Sequence, residues 1–569
     1  MSLARRSLAV VGLTIALGAW IPSQSRAEPV EAALNRVPDG TAICVVVRDL
    51  RTSLRTIADS PFVAWFREST IGQRILDPKE LQKLKDLHDF FAGQLGVTGE
   101  QLLDDVIGDA VVLAYKPGPP GKPDDETGVI LIAPRKPEVL AQVIEKLNDL
   151  QQKSGEIRAV RELKYKDRAF FEREKTAGGR EYYQIYEGVF AFSGQLAGLH
   201  SAIDRQVAKT PGPSAASKGL KQLGLENRLA VCWFNPRSFD AELAAKEAAT
   251  KDAGERAFLA QFRKVWAATE SFALDLHATR GLELGVVAKF DLGKLPAELK
   301  DVLFPKPGKS ALAAKIPPDA LVAIVGRLDV PKIIAALETF LPAEGKAGLK
   351  AIVEQFIGPL IGKDKLPAVM AGIGPDWGFW MTAPPAGSKA WVPDWTVAAK
   401  LADTAARPVQ QAIEFAAQTA RIAYNRDHKD QIDFEEDSAG GTTVKFFVNE
   451  IAFPTGFRPA FAVTQGYLVV ASSPEAVRRF VPATGVESVH VPLIRLSGTH
   501  LKAYLTTHGT AVAAFLGKTQ GRAEAVVEKE LKDLISVLEA IDRIDIRRVT
   551  TATTVRLIVQ VQLTKSLGK

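Results

Sequence analysis

Leu516-Gly517-Lys518-Thr519 carries the tail of a phosphate-binding loop, in which backbone amides cradle phosphate beside a lysine. That loop needs an earlier glycine, and Val512 stands in its place. Gly517 follows a helical pattern and reads as a helix terminator. No Gly-x-Ser-x-Gly elbow offers a hydrolase serine, and no His-Glu-x-x-His offers a zinc pair. The seven histidines, His88, His200, His277, His428, His490, His500 and His508, are scattered, and no two are three or four apart. Two acidic stretches carry carboxylates for calcium: Asp124-Asp125-Glu126, and the group Asp427, Asp430, Asp433, Glu435, Glu436 and Asp437. Neither fits the Asp-x-Asp-x-Asp-Gly spacing, so both read as solvated loops. These residues point to no catalytic set, no cofactor and no metal.

Tryptophan is the uneven residue. Four of the eight, Trp377, Trp380, Trp391 and Trp395, fall within one short stretch. Trp377 and Trp380 are three apart, so strand alternation sends them to opposite faces. Pro393 interrupts pairing between Trp391 and Trp395. All four do not fit one core easily, and an indole near the surface is a binding anchor. They are the candidate partner-binding residues, for a protein, a glycan or a small apolar ligand.

The elements that must position them are written twice. Pro38-Asp39 opens an apolar strand that ends at Asp49, and Pro318-Asp319 opens one that ends at Asp329. Ile107-Gly108-Asp109 and Ile373-Gly374-Pro375-Asp376 each precede a strand and a Pro/Gly-rich loop. Pro137 and Pro408 each sit in the first turn of a helix. Glu187 to Ser193 matches Gln465 to Ala471. Each half closes with a long helix and a hairpin. One helix carries a stripe of Phe258, Phe262, Val265, Trp266 and Thr269, and the other Val527, Leu531, Leu534, Leu538 and Ile541. The hairpins alternate Leu282, Leu284, Val286, Ala288, Phe290 and Val555, Leu557, Val559, Val561, Leu563. The expected fold is α+β: a tandem duplication of two similar lobes, each a largely antiparallel sheet with helices packed on it. The expected divisions are residues 1–27, 28–300 and 309–569.

The chain has 569 residues, too many for one hydrophobic core. Arg5 and Arg6, the apolar run Leu8 to Trp20 and the exit Ser25-Arg26-Ala27 form a secretory signal, so the mature protein is expected to begin at Glu28 and to be periplasmic or extracellular. The apolar run is too short for a membrane span, and no span is expected in the mature chain. Removing residues 1–27 takes away three arginines and no acid, leaving 69 bases against 66 acids. Bases and acids alternate throughout, which excludes a nucleic-acid footprint. Cys44 and Cys232 both lie in apolar strand patterns and read as small buried hydrophobes, although an oxidising compartment would permit a bridge.

The exported start, the Pro-Asp strand opener and the run Gly-Tyr-Leu-Val-Val-Ala-Ser-Ser-Pro-Glu-Ala from Gly466 to Ala476 resemble a class of large exported bacterial proteins known as domains of unknown function. The resemblance implies an envelope or secreted protein without an established catalytic residue set. The expected function is a non-catalytic binding or scaffold role. The rivals are a hydrolase with a site between the lobes and a carrier of an apolar ligand.

Overall fold

Alternating apolar residues bounded by turn signals form strands here, and every strand pairs antiparallel. The computed structural model describes residues 27–51, 91–208, 212–278, 281–306, 308–327, 329–352, 355, 366–439, 441–481 and 493–564. Residues 1–26 of the expected signal segment 1–27, and the histidines His88 and His490, lie outside the described residues. The architecture is mixed α+β. The chain divides into two compact units. The first takes the residues up to Thr250 together with Val265–Lys294, and the second takes Lys251–Lys264 and the chain from Leu295 to Lys565.

The strands of the first unit are β1 (Ile43–Arg48), β2 (Ala110–Lys116), β3 (Thr127–Ala133), β4 (Ile157–Tyr165), β5 (Arg168–Lys175), β6 (Arg180–Tyr186), β7 (Val189–Ser193), β8 (Ala230–Phe234), β9 (Thr269–Ala278) and β10 (Gly281–Phe290). They hydrogen-bond in the order β4-β5-β6-β7-β3-β2-β1-β8-β9-β10. One face of this sheet is covered by the helices Ala27–Leu34, Leu196–Val207 and Ala215–Gln222. Their Leu34, Leu199, Ile203 and Leu220 meet Cys44, Val46, Val112, Leu131, Val231 and Trp233 in one core.

The second unit contributes β11 (Val322–Arg327), β12 (Ile373–Thr382), β13 (Asp394–Leu401), β14 (Asp433–Ala439), β15 (Thr442–Val448), β16 (Ala460–Thr464), β17 (Tyr467–Ala471), β18 (Leu493–Ser497), β19 (Ile541–Thr550) and β20 (Thr554–Leu563). Their order is β14-β15-β16-β17-β13-β12-β11-β18-β19-β20. It repeats the first order strand for strand. Its core joins Ala323, Val325, Trp380, Ala398 and Val469 to Leu312, Val477 and Phe480.

Helix ends follow local chemistry. Asp329 caps the helix Val330–Glu338 through the amide of Lys332, and Ser473 caps Pro474–Arg478 through that of Ala476. Gly517 does not end its helix. Gly498–Gln520 runs on, and Gly521, at φ 65°, takes the left-handed terminal position. Lys518 and Thr519 are therefore helical, and the Thr519 hydroxyl donates to the Phe515 carbonyl. The backbone there cannot wrap a phosphate.

The two cysteines lie on adjacent strands. Cys44 stands opposite Trp233 and Val45 opposite Cys232, so the two thiols point to opposite faces and both are free. Burial pushes the Cys44 thiol up to about 12. In the absence of reductant, denatured protein is expected to show both thiols to Ellman's reagent, and native protein to resist alkylation at Cys44 at pH 8. An intact-mass deficit of two hydrogens would contradict this register.

Candidate functional site

The polar candidates resolve into local structural contacts. Asp427 pairs with Arg426 at 2.8 Å, Asp430 accepts from the Tyr424 hydroxyl at 2.9 Å, Glu436 pairs with Lys445 at 3.8 Å, and Asp437 pairs with Arg478. These carboxylates are spread over separate partners instead of converging on one point. Glu126 accepts from the Tyr115 hydroxyl at 2.8 Å. Among the described residues no group of three His, Cys, Asp or Glu is placed to hold a metal ion. The Ser497 hydroxyl lies 2.9 Å from His500 Nδ1, yet it also accepts the His500 amide as the cap of Gly498–Gln520. This contact is a turn of the helix terminus and not the Nε2-directed pair of an activated serine. Buried Asp376 receives the Ala311 amide at 3.0 Å and the Tyr467 hydroxyl at 3.4 Å. It ties a surface turn to the sheet, and burial with this neighbour pushes the Tyr467 phenol up to about 12.

The tryptophans separate by strand alternation. Trp380 is 9% exposed on the covered face, stacked on Phe480 with centroids 6.3 Å apart. Trp377 points the other way and is half-buried, its ring lying against Gly326 of the facing strand. Trp395 is half-buried opposite Met381 and 6.4 Å from the Phe457 ring. Trp391 is half-buried before β13, 5.4 Å from the Phe515 ring, and its carbonyl accepts from the Tyr504 hydroxyl at 2.8 Å. The four do not form one cluster. The structure brings Trp377 and Trp395 to the second face of the sheet, leaves Trp391 at its border and places Trp380 inside.

That second face is the prominent chemical feature of both units. A row of facing residues crosses seven strands of the first: Val286, Leu274, Cys232, Val45, Leu113, Ile130 and Phe192. The corresponding row of the second is Val559, Ile546, Ile494, Ile324, Phe379, Val397 and Val470. Every member is apolar. An antiparallel sheet with one solvated face ordinarily alternates apolar with polar residues. Here the outer row stays apolar yet reaches water: Leu274 is 47% exposed, Val286 39%, Ile130 36%, Ile494 38% and Val397 36%.

Helices cover only parts of this face. In the first unit, Pro137–Lys153 lies over the β5–β6 end, where Asn148 donates to the Tyr183 hydroxyl at 3.0 Å. In the second, Gly498–Gln520 and Glu524–Leu538 cover Val322, Met381 and Leu496 through Tyr504, Leu505 and Leu538. The stripe between such covers is open.

The hairpin alternation identified the members of this face correctly but not its surroundings. Glu283, Gly285 and Val287 are buried, whereas Leu284 and Val286 are among the more exposed apolar residues. Strand period alone reveals which residues share a face, not which face is covered. Phe379, Val397 and Ile494 went unremarked for the same reason.

No family model, curated protein or solved structure matches the chain. No helix among the described residues is long and apolar enough to cross a membrane.

Proposed function

We propose that this chain is an exported, non-catalytic binding protein made of two repeats of one α+β lobe, and that the open stripe of each lobe takes up an apolar ligand. The duplication reading rests on the shared ten-strand order together with the repeated Pro-Asp openers. Export rests on the signal pattern of residues 1–27. Cleavage after Ala27 retains Val30, Ala33 and Leu34, which the first core buries. The carrier reading rests on the seven-residue apolar row that recurs at the same strands of both units while keeping contact with water.

Six inter-strand steps of ~4.8 Å give each row a length of roughly 29 Å, the scale of an extended acyl chain. A contiguous exposed apolar patch marks a binding surface, since leaving it in water costs about 25 cal/mol per Å2. The alternation of the closing hairpins makes the point locally: the sheet buries Glu283 and leaves Leu284 out. The hydrolase alternative requires converging titratable groups, and the contacts described above account for its polar candidates as caps and ion pairs.

The test is a fluorescence titration of the purified protein with a long-chain polyene fatty acid. Saturable binding is expected, weakened at least tenfold by Leu274→Asp with Val397→Asp. Both side chains are more than a third exposed, so the melting temperature should hold. Absence of acyl binding, or affinity indifferent to these two charges, rejects the carrier reading. A protein or glycan retained in its place would return the stripe to the broader binding role.

A further inference from the structure

The apolar stripes of the two units differ in charge at a flanking position. Side chains two residues apart on a strand share a face, so Leu276 flanks Leu274 in the first unit and Arg548 flanks Ile546 in the second. Leu274 and Ile546 hold the same place in the two rows, which makes Leu276 and Arg548 equivalent. Leu276 stands opposite Leu284, and Arg548 stands opposite Leu557. A guanidinium thus takes the place of a leucine at the edge of the second stripe, across from a side chain that is 45% exposed.

Arg548 is half-buried and commits one arm within the protein. Its Nη1 donates to the Val302 carbonyl at 3.1 Å, in the last turn of the helix Ala297–Leu303. Its Nε is buried and has no hydrogen-bond partner among the described residues. No carboxylate pairs with it among those residues, and burial lowers its pKa with no acidic neighbour to offset the effect. A cation drawn partly out of water without a counter-ion is destabilising, and an unmade hydrogen bond costs more at a charged donor than at a neutral one.

The remaining donors suit one kind of oxyanion. A guanidinium is a rigid planar fork of N–H groups. With Nη1 committed to Val302, the edge formed by Nε and Nη2 is left, and two parallel N–H groups on one edge match the two oxygens of a carboxylate. The surroundings select what carries that carboxylate. From Ile546 the row runs through Ile494, Ile324, Phe379 and Val397 to Val470 without a polar member. These five inter-strand steps of ~4.8 Å span roughly 24 Å. An anion without a long apolar tail would leave this row wet, and a tail without an anion would leave the guanidinium uncompensated.

We propose that the second stripe binds a long-chain fatty acid as its carboxylate, with Arg548 holding the head group through Nε and Nη2 and the row from Ile546 to Val470 holding the chain. This assignment rests on the carrier reading of the stripes. It makes Arg548 a specificity-determining residue. The first stripe has Leu276 in that place and does not distinguish a charged head from an uncharged one.

The test uses the whole chain carrying Leu274→Asp, so that the second stripe alone is read. A long-chain polyene fatty acid and its methyl ester, which keeps the chain and loses the charge, are compared by fluorescence titration at pH 8. The acid is expected to bind at least tenfold more tightly than the ester. Arg548→Gln should erase that difference by weakening the acid at least tenfold while the ester shifts less than twofold. Arg548→Lys keeps the charge without the fork and should retain part of it. Equal affinity for acid and ester overturns the assignment of Arg548 and leaves the carrier reading standing. That comparison needs no change at Arg548, so it decides the matter even if Arg548→Gln folds poorly. A preference for the acid that survives Arg548→Gln, or that recurs in Val397→Asp protein where the first stripe is read, also overturns the assignment. Binding of neither ligand rejects the carrier reading and the assignment with it.

Discussion

Trp380→Ala is expected to lower the unfolding free energy by ~3–5 kcal/mol, measured as a fall in the urea midpoint at constant slope. The indole is 9% exposed and belongs to the core that joins β11, β12 and β13 to Val477 and Phe480. Removing it forfeits the transfer free energy of a large aromatic and leaves a cavity. The ring is stacked at 11° on Phe480, and the Gly378 position already lies 3.2 Å from it in Cβ terms, so the site has little room to rearrange. By sequence alone Trp380 belongs with Trp377, Trp391 and Trp395 among the candidate partner-binding residues. If the loss is below 1 kcal/mol, the core placement of Trp380 is wrong and a surface role returns.

Gly219→Ala should also destabilise, by ~1–3 kcal/mol, against the usual preference of a helix for alanine. Gly219 lies within the helix Ala215–Gln222, where alanine alone would add ~1 kcal/mol. A Cβ there would sit 2.5 Å from Cε2 and 2.9 Å from Cζ2 of Trp233, a ring buried at 3% exposure. That overlap demands movement of a packed indole, and the steric cost exceeds the propensity gain. Gly509→Ala is the control. It too is helical, within Gly498–Gln520, but nothing lies within 4 Å of its Cβ position. It should stabilise by ~0.5–1 kcal/mol. Equal and favourable shifts at both glycines would show that the helix does not sit on Trp233.

The same contrast separates what was legible in the amino-acid order from what was not. Strand period, turn chemistry and helix caps are local, so Ile43–Arg48, Val322–Arg327 and the capped helix Val330–Glu338 could be read from neighbouring residues. The ordered recurrence of those signals placed the closing hairpins at the ends of both halves. Alternation also separated Trp377 from Trp380, because side chains three residues apart on a strand must face opposite ways, whereas only the register of β1 against β8 placed Cys44 and Cys232 on opposite faces.

Tertiary structure decided everything that depends on what packs above a face. Leu284 and Val286 share the apolar side of an alternating hairpin yet are exposed, whereas the neighbouring Glu283 is buried. The reason is physical: a strand has two faces of equal geometry, and only the elements laid over them make one dry. Gly517 likewise read as a terminator, until a helix continuing to Gln520 carried the turn to Gly521. The apolar row from Val286 to Phe192 gathers residues from seven strands. No spacing along the chain encodes that alignment, because strand order and register assemble it in space.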